Sequence, residues 1–131
     1  MGVFTNIEAA LHTRLATLSC LPAVQWPNVH YKPVENTTFL RPTVLSAATK
    51  LDTIAGMEEH KGIYQIDVFV PLEKGVSALN TLLDSIESLF KSNKVLTATD
   101  VVWVQAVGRG RAQRQESWYV GFIEVNYLCY S

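Results

Sequence analysis

The sequence predicts an α+β fold, in which two helices pack on one face of a mostly antiparallel sheet of about four to five strands. Apolar residues recur at helical spacing in two segments, and the segments that follow each of them alternate apolar and polar residues as strands do. The predicted order is helix, strand, strand, helix, strand, strand. A chain of 131 residues, 48% of them hydrophobic, suffices for one domain, residues 1–131.

The first element is a helix that we expect over about residues 6–19. Thr5 and Glu8 have the spacing of a capping box, in which each side chain binds the backbone N–H of the other residue. Pro22 marks the end of the helix. One apolar stripe follows the helical period: Ile7, Leu11, Leu15 and Leu18.

A proline-rich segment separates this helix from the sheet. Residues 22–42 are expected to be irregular apart from a short edge strand at Val24–Trp26. Thr43–Ala48 is predicted to be a strand, and residues 49–61 a polar connection. Gly62–Pro71 shows the clearest strand pattern in the chain, because β-branched and aromatic residues alternate with polar ones until proline ends the run.

The second half predicts a helix followed by a hairpin. Apolar residues repeat at intervals of three and four from Val76 to Phe90, which indicates an amphipathic helix. Val101–Val107 and Ser117–Tyr130 are predicted to be strands joined by a long loop over residues 108–116. Trp103 and Trp118 are expected to pair across this hairpin.

The sequence shows no pattern of catalytic or cofactor-binding residues, and we predict a protein that is not an enzyme and needs no cofactor. The three histidines, His12, His30 and His60, lack the spacing of metal ligands. The segment Gly108-Arg109-Gly110 lacks the lysine and the strand–turn–helix context of a phosphate-binding loop.

The only local charge feature is a group of arginines, Arg109, Arg111 and Arg114, interleaved with glycine and glutamine. One interpretation is an exposed hairpin tip kept soluble by charge. The other is a contact with an acidic partner surface or with DNA that passes by, through phosphates and without base reading. The net charge of −1 means that any DNA contact must be local.

Composition favours a subunit of an assembly. Charged residues make up only 18% of the chain, against roughly 25% in a typical globular protein. We expect no signal peptide and no membrane-spanning segment, because the N-terminus lacks a basic stretch before an apolar run and no apolar run is long enough. The protein is therefore expected to be made in the cytoplasm and to stay there unless it is packaged into a particle.

The segment around the best strand resembles a known family. Gly62, Tyr64-Gln65 and Pro71 frame alternating apolar residues, and an amphipathic helix ending in Leu-Phe follows. This pattern is similar to that of the tail terminator proteins of lambda-like bacteriophages. The resemblance implies a homo-hexameric ring in the virion tail that docks on the last ring of the tail tube, stops its growth and then receives the head-completion or neck protein. On this reading Arg109, Arg111 and Arg114 are candidates for lining the DNA passage or for gripping a neighbouring subunit; the family pattern itself does not fix these positions.

Two alternative functions remain open at this point. A neck or head-completion protein, which joins head to tail, shares the small size and the lack of catalytic residues. A small nucleic-acid-binding module that uses the arginine-rich segment would instead show salt-dependent affinity for DNA.

Overall fold

The computed structural model describes residues 3–18, 22–26, 37–47, 50–52, 57–72, 75–91, 94–96, 101–110, 112–115 and 118–130. Two helices and eight strands lie in these ranges. In chain order they are α1 Val3–Ala16, β1 Ala23–Val24, β2 Phe39–Ser46, β3 Lys50–Asp52, β4 Met57–Pro71, α2 Gly75–Phe90, β5 Lys94–Leu96, β6 Val101–Arg109, β7 Gln113–Gln115 and β8 Trp118–Tyr130.

The strands form one sheet around the long pair β4 and β8. The order across the sheet is β1-β2-β4-β8-β6-β5, while β3 pairs with β4 and β7 with β8. Every pairing is antiparallel except that of β1 with β2. The α+β prediction is therefore confirmed, although the predicted number of strands was too low because short strands pair at the margins of the sheet.

Both helices cover the same face of the sheet, here called the helix face, as predicted. The apolar stripes of α1 and α2 meet alternate residues of the four long strands in one core. The other side of the sheet is called the open face. The largest fully buried side chains of the core are Tyr64, Tyr127, Phe90, Ile7, Leu11, Leu15, Leu40, Ile66, Leu79, Leu83, Ile86 and Ile123.

Helix α1 begins and ends earlier than the sequence predicts. It starts at Val3, so Thr5 lies inside the first turn and the predicted capping box is wrong. At the other end the Thr17 hydroxyl donates to the Arg14 carbonyl at 2.6 Å, and the Leu18 N–H donates to the Leu15 carbonyl at 3.1 Å. These short-range bonds replace the helical ladder and end the helix at Ala16.

Strand β4 is five residues longer at its start than predicted, because Met57–Lys61 also lies in the sheet. This segment is flanked by β3 on one side and by the end of β8 on the other. Successive side chains of this segment point to opposite faces of the sheet. Glu59 and Lys61 form an ion pair at 3.3 Å on the open face, and His60, between them, is buried on the helix face. The polar connection predicted over residues 49–61 is therefore wrong for these residues.

A small aromatic cluster lies on the open face. The rings of Phe39 and Phe69 stack with centroids 4.4 Å apart, and Trp118 meets Phe39 edge to face at 5.1 Å. Trp103 lies opposite Leu128, whereas Trp118 lies opposite Pro71. Because these tryptophans pair near opposite ends of β8, roughly 30 Å apart at about 3.3 Å per residue, the predicted Trp103–Trp118 pair is wrong.

Gly62 is required by the packing of a tyrosine from the neighbouring strand. The Tyr127 ring lies over the glycine, and its hydroxyl group reaches Ser46 on the far side at 3.3 Å. A Cβ atom at position 62 would lie 2.5 Å from the Tyr127 hydroxyl and 2.5 Å from the Leu45 carbonyl oxygen. No unstrained side chain fits there, since one of the two contacts is with backbone.

Gly62→Ala is expected to destabilise the protein by about 1–3 kcal/mol, because Tyr127 must leave its rotamer. Gly108→Ala is the matched control: it is also a sheet glycine, but its added Cβ would meet nothing within 4 Å. Urea unfolding of both variants tests this. Equal midpoints for the two variants would show that Tyr127 does not depend on Gly62.

Helix α1 is joined to the sheet by a hydrogen bond in the core. The Tyr64 hydroxyl lies 2.7 Å from His12 Nδ1, and the rings of Tyr64 and Trp26 both meet the imidazole edge to face. Burial raises the pKa of Tyr64, with a smaller contribution from Glu8, so its hydroxyl stays a donor. Burial lowers the pKa of His12, against the opposing charge of Glu8. Nδ1 therefore accepts from the tyrosine in the neutral imidazole.

Stability is expected to fall as the pH drops below about 6.5, the ordinary His value. In that range the unfolded chain takes up a proton at position 12 that the folded protein resists, and linkage then favours unfolding. His12→Asn keeps an acceptor near Tyr64 but cannot titrate. Unfolding midpoints at pH 7.5 and 5.5 should therefore change more for the natural protein than for the variant, and parallel changes would contradict this account.

Candidate functional site

The described residues of the arginine-rich segment, 108–110 and 112–115, lie at an edge of the sheet. Strand β6 extends to Arg109, the Gly110 N–H donates to the Phe122 carbonyl at 3.0 Å, and β7 then pairs with the start of β8. Gln115 lies opposite Trp118. The predicted loop over residues 108–116 is therefore wrong: residues 109, 110 and 113–115 run along β8.

Two irregularities in this edge decide where its side chains point. The register with β8 shifts between Val104 and Ala106, and it shifts again by one residue between Arg109 and Gln113. Each extra residue reverses the alternation of faces. Arg109 and Arg114, an odd number of residues apart, therefore both lie on the helix face.

Arg109 is bound to α2 of the same chain. Its guanidinium group donates to Asp84 and, at 2.6 and 3.2 Å, to Glu87 Oε2. These bonds raise the pKa of Arg109 and, with a smaller effect of Lys91, lower the pKa of Glu87. Because the ion pairs are exposed to solvent, they add little to the free energy of unfolding. Their effect is to hold the end of β6 against α2.

The other two arginines differ from Arg109. Arg114 is exposed beside Tyr119, and no described acidic side chain forms an ion pair with it. Arg111 lies outside the described residues. The Arg114 guanidinium group is therefore accessible to a partner molecule, whereas the charge of Arg109 is already neutralised by its own chain.

The residues that carry the family pattern have structural positions along β4. Gly62 and Tyr64 face the core. Gly62 leaves space for the Tyr127 ring, and the Tyr64 hydroxyl forms a hydrogen bond with His12. Gln65 lies on the open face and donates to Asp67 Oδ1 at 2.9 Å; the same carboxylate faces Arg41 at 3.5 Å. Pro71 is the last residue of β4, as predicted, and lies opposite Trp118.

The described surface carries two shallow clefts. One of about 500 Å³ lies between the end of α1 and the middle of α2, beside Leu18, Asp84 and Ser88. The other, of about 200 Å³, runs along β6 next to Lys91. Within the described ranges no three His, Cys, Asp or Glu side chains could together hold a metal ion. Neither described helix is long and apolar enough to cross a membrane.

Sequence comparison decides the family. The family described as "Phage tail terminator protein" matches residues 6–127 of the chain. The chain belongs to the phage tail terminator family. The resemblance based on Gly62, Tyr64-Gln65 and Pro71 is thereby confirmed, and the family is one of structural phage tail proteins.

Solved structures confirm the fold of the chain. Eleven chains match it. One of them superposes with a TM-score of 0.78 at 24% identity, and the match covers 98% of this chain and 96% of that one. At this identity the likeness concerns the fold alone. The comparison with curated proteins found no match.

Sequence reasoning missed the acidic partners of Arg109 and the continuation of β6 into β7. Asp84 and Glu87 are three residues apart on the exposed side of α2, a spacing that puts both on one face of a helix. Gln113, Arg114 and Gln115 are all polar, so no alternation of apolar and polar residues marks β7 as a strand. The spacing of Asp84 and Glu87 does not show which strand lies beside α2, so it does not identify the ion pairs.

The Arg109 cluster predicts an order of effects on one carboxyl group. NMR titration of Glu87 should give a pKa below the ordinary value, because both cations favour its charged form. Arg109→Gln should raise this pKa more than the control Lys91→Gln does, since the hydrogen bond from Arg109 is the larger cause. An equal rise in both variants would mean that Arg109 does not bind Glu87 in solution.

Proposed function

We propose that the protein forms a hexameric ring on the end of the completed tail tube, stops tube polymerisation and offers its far side to the head-completion or neck protein. The observation that carries this proposal is the family match over residues 6–127. The family implies a component of the virion tail. Assembly in the host cytoplasm, and the tube, neck and DNA as partners, belong to the same proposal.

Termination needs two unlike surfaces and no active site. Contacts between different patches of identical subunits close into a ring whose two sides differ. If one side matches the tube and the other does not repeat the tube's own top surface, no further tube subunit adds. This physical requirement agrees with a chain in which the sequence shows no catalytic pattern.

The two ends of the long strands differ in chemistry. At the end where β4 starts and β8 finishes, Phe4 and Tyr130 are exposed, and Glu58 extends into solvent beside His60. At the opposite end Arg114 and Val76 are exposed. One end is thus aromatic and acidic and the other carries a basic group, which supports unlike docking surfaces on the two sides of a ring.

The alternative of a nucleic-acid-binding module gains less support. Of the three arginines that suggested it, Arg109 is bound to two carboxylates of its own chain. A neck or head-completion role is tested together with termination by the experiment below.

Deleting the gene from a phage or prophage is expected to give overlong tubes of variable length without heads, seen by negative-stain electron microscopy of lysates. The reason is that tube growth then has no cap. Supplying the gene in trans is the control and should restore uniform tails. Tails of normal length lying beside filled heads would instead assign the protein to head joining, and intact particles would contradict the proposal.

A further inference from the structure

We propose that neighbouring copies join by continuing the sheet, with the outer edge of β2 (Pro42–Ser46) of one copy against the outer edge of β6 (Val104–Arg109) of the next. The occupant of each edge is therefore a second copy of this chain. This inference rests on the proposed ring and names the surface that closes it.

Among the described strands, none pairs with either edge over the same height of the sheet. Strand β1 covers β2 only at Phe39 and Leu40, and β5 covers β6 only from Val101 to Trp103. Over the described residues no strand pairs with the outer side of the remainder of β2 or β6. Counted along β8, the two free segments both lie beside residues 123–127. Copies related by rotation at one height therefore bring free edge to free edge.

The backbone of β2 has hydrogen-bonding groups directed outwards. The Ala47 N–H donates to the Lys61 carbonyl at 2.8 Å, which places the odd-numbered residues of β2 in hydrogen-bonded pairs with β4. The even-numbered residues then point to the outer edge. Val44 and Ser46 each offer an N–H and a carbonyl group there, and Pro42 offers a carbonyl group alone.

The backbone of β6 is complementary. The bond from the Gly110 N–H to the Phe122 carbonyl places residues 106, 108 and 110 in hydrogen-bonded pairs with β8. Val107 and Arg109 therefore direct their N–H and carbonyl groups outwards. At equal height Val107 meets Val44, and Arg109 meets Pro42, whose carbonyl accepts from the Arg109 N–H.

Strand direction fits a ring. The strands β2, β4, β8 and β6 alternate in direction, so the two outer ones are antiparallel within one copy. Rotation about an axis roughly along the strands keeps these directions. It places β6 of one copy antiparallel to β2 of the next, and the junction has the same geometry as the rest of the sheet.

Exposed apolar side chains lie where this junction would cover them. Leu45, 50% exposed, and Ala106 lie on the open face at the same height, and Trp103, 43% exposed, is next on that face of β6. Diagonal neighbours across antiparallel strands are within reach of an aromatic ring. On the helix face, the cleft of about 200 Å³ beside Lys91 borders residues 104–107 of the same edge.

The edges also limit how far the pairing extends. Pro42 removes one donor from β2, and the bulge at residue 105 interrupts β6. Such features prevent indefinite strand pairing, so the junction is short. A short junction binds two copies weakly, so the assembly becomes stable only when the ring closes and every copy has both junctions.

Cysteine cross-linking tests the pairing directly. Leu45→Cys is combined with Ala106→Cys, which lies opposite it when the two edges pair at equal height. It is also combined with Gly108→Cys, which lies opposite it when the register is shifted by two residues. Within one copy β4 and β8 separate these positions by roughly 14 Å at about 4.8 Å per strand, beyond the reach of a disulfide. Every disulfide between the two introduced cysteines is therefore between copies. Oxidation should give a ladder up to the closed ring on a non-reducing gel.

The same gel is run on isolated protein and on tails assembled with the double variants, so that a ring formed only on the tube is included. The single variants are the controls and should stay uncross-linked. Absence of the ladder from both samples would overturn the proposal. Dimers from Leu45→Cys alone would also overturn it, because they would show that β2 pairs with its own copy.

Proline variants test the hydrogen bonds. Val44→Pro and Val107→Pro each remove an outward N–H that no strand of the same copy uses, and Pro42 shows that β2 accepts proline at such a position. Val44→Ala and Val107→Ala are matched controls that lose the side chain and keep the donor. Each proline variant that retains the native circular dichroism spectrum should bind the neighbouring copy through the β2–β6 junction at least about fivefold more weakly than its alanine control does.

The outcomes separate this inference from the proposed function. If deletion of the gene gives overlong tubes but both folded proline variants restore normal tails as well as the alanine controls do, the edge pairing is wrong and termination stands. If the cross-linked ring forms but deletion leaves tails of normal length, the pairing stands and termination is wrong.

Discussion

The pairing of β4 with β8 is the constraint on which the rest of the structure depends. The two strands face each other over thirteen residue pairs, from Glu59 with Tyr130 to Pro71 with Trp118. A slip by one residue would turn every side chain of one strand to the other face, exposing Tyr64 and burying Asp67. The core under both helices, the His12–Tyr64 hydrogen bond and the height of the outer edges all depend on this register.

Elements with an uninterrupted pattern could be predicted from the sequence almost to the residue. The second helix was expected from Val76 and begins at Gly75, and the strand through Tyr64 ends at Pro71 as expected. The start of β4 could not be predicted, because Glu59 and Lys61 give a polar local pattern although their backbone is paired. Glu59 lies between β3 and β8, and Lys61 lies opposite Leu128 of β8 and accepts a hydrogen bond from the Ala47 N–H. The local sequence indicates whether side chains are buried or exposed. How far a strand extends depends instead on which distant segments pair with its backbone.

The candidate site was predictable in part for the same reason. The family pattern lies within one strand and could be recognised locally. The faces of Arg109 and Arg114 could not, because two extra residues in the β6–β7 edge reverse the alternation. The partners of Arg109 lie 22 and 25 residues away on α2. Likewise, the matching heights of the free edges follow from the order of strands, which no single segment of sequence contains.

The contact between Gly62 and Tyr127 has a consequence for how this protein can diverge. The two positions lie at the same height on the central strands, and the ring of one occupies the space that a side chain at the other would need. A side chain at position 62 therefore requires a smaller residue at position 127 and also a shift of the Leu45 carbonyl, which lies equally close. Related sequences that carry an aromatic residue at the position of Tyr127 should keep a glycine 65 positions before it, so that the two residues are inherited as a pair.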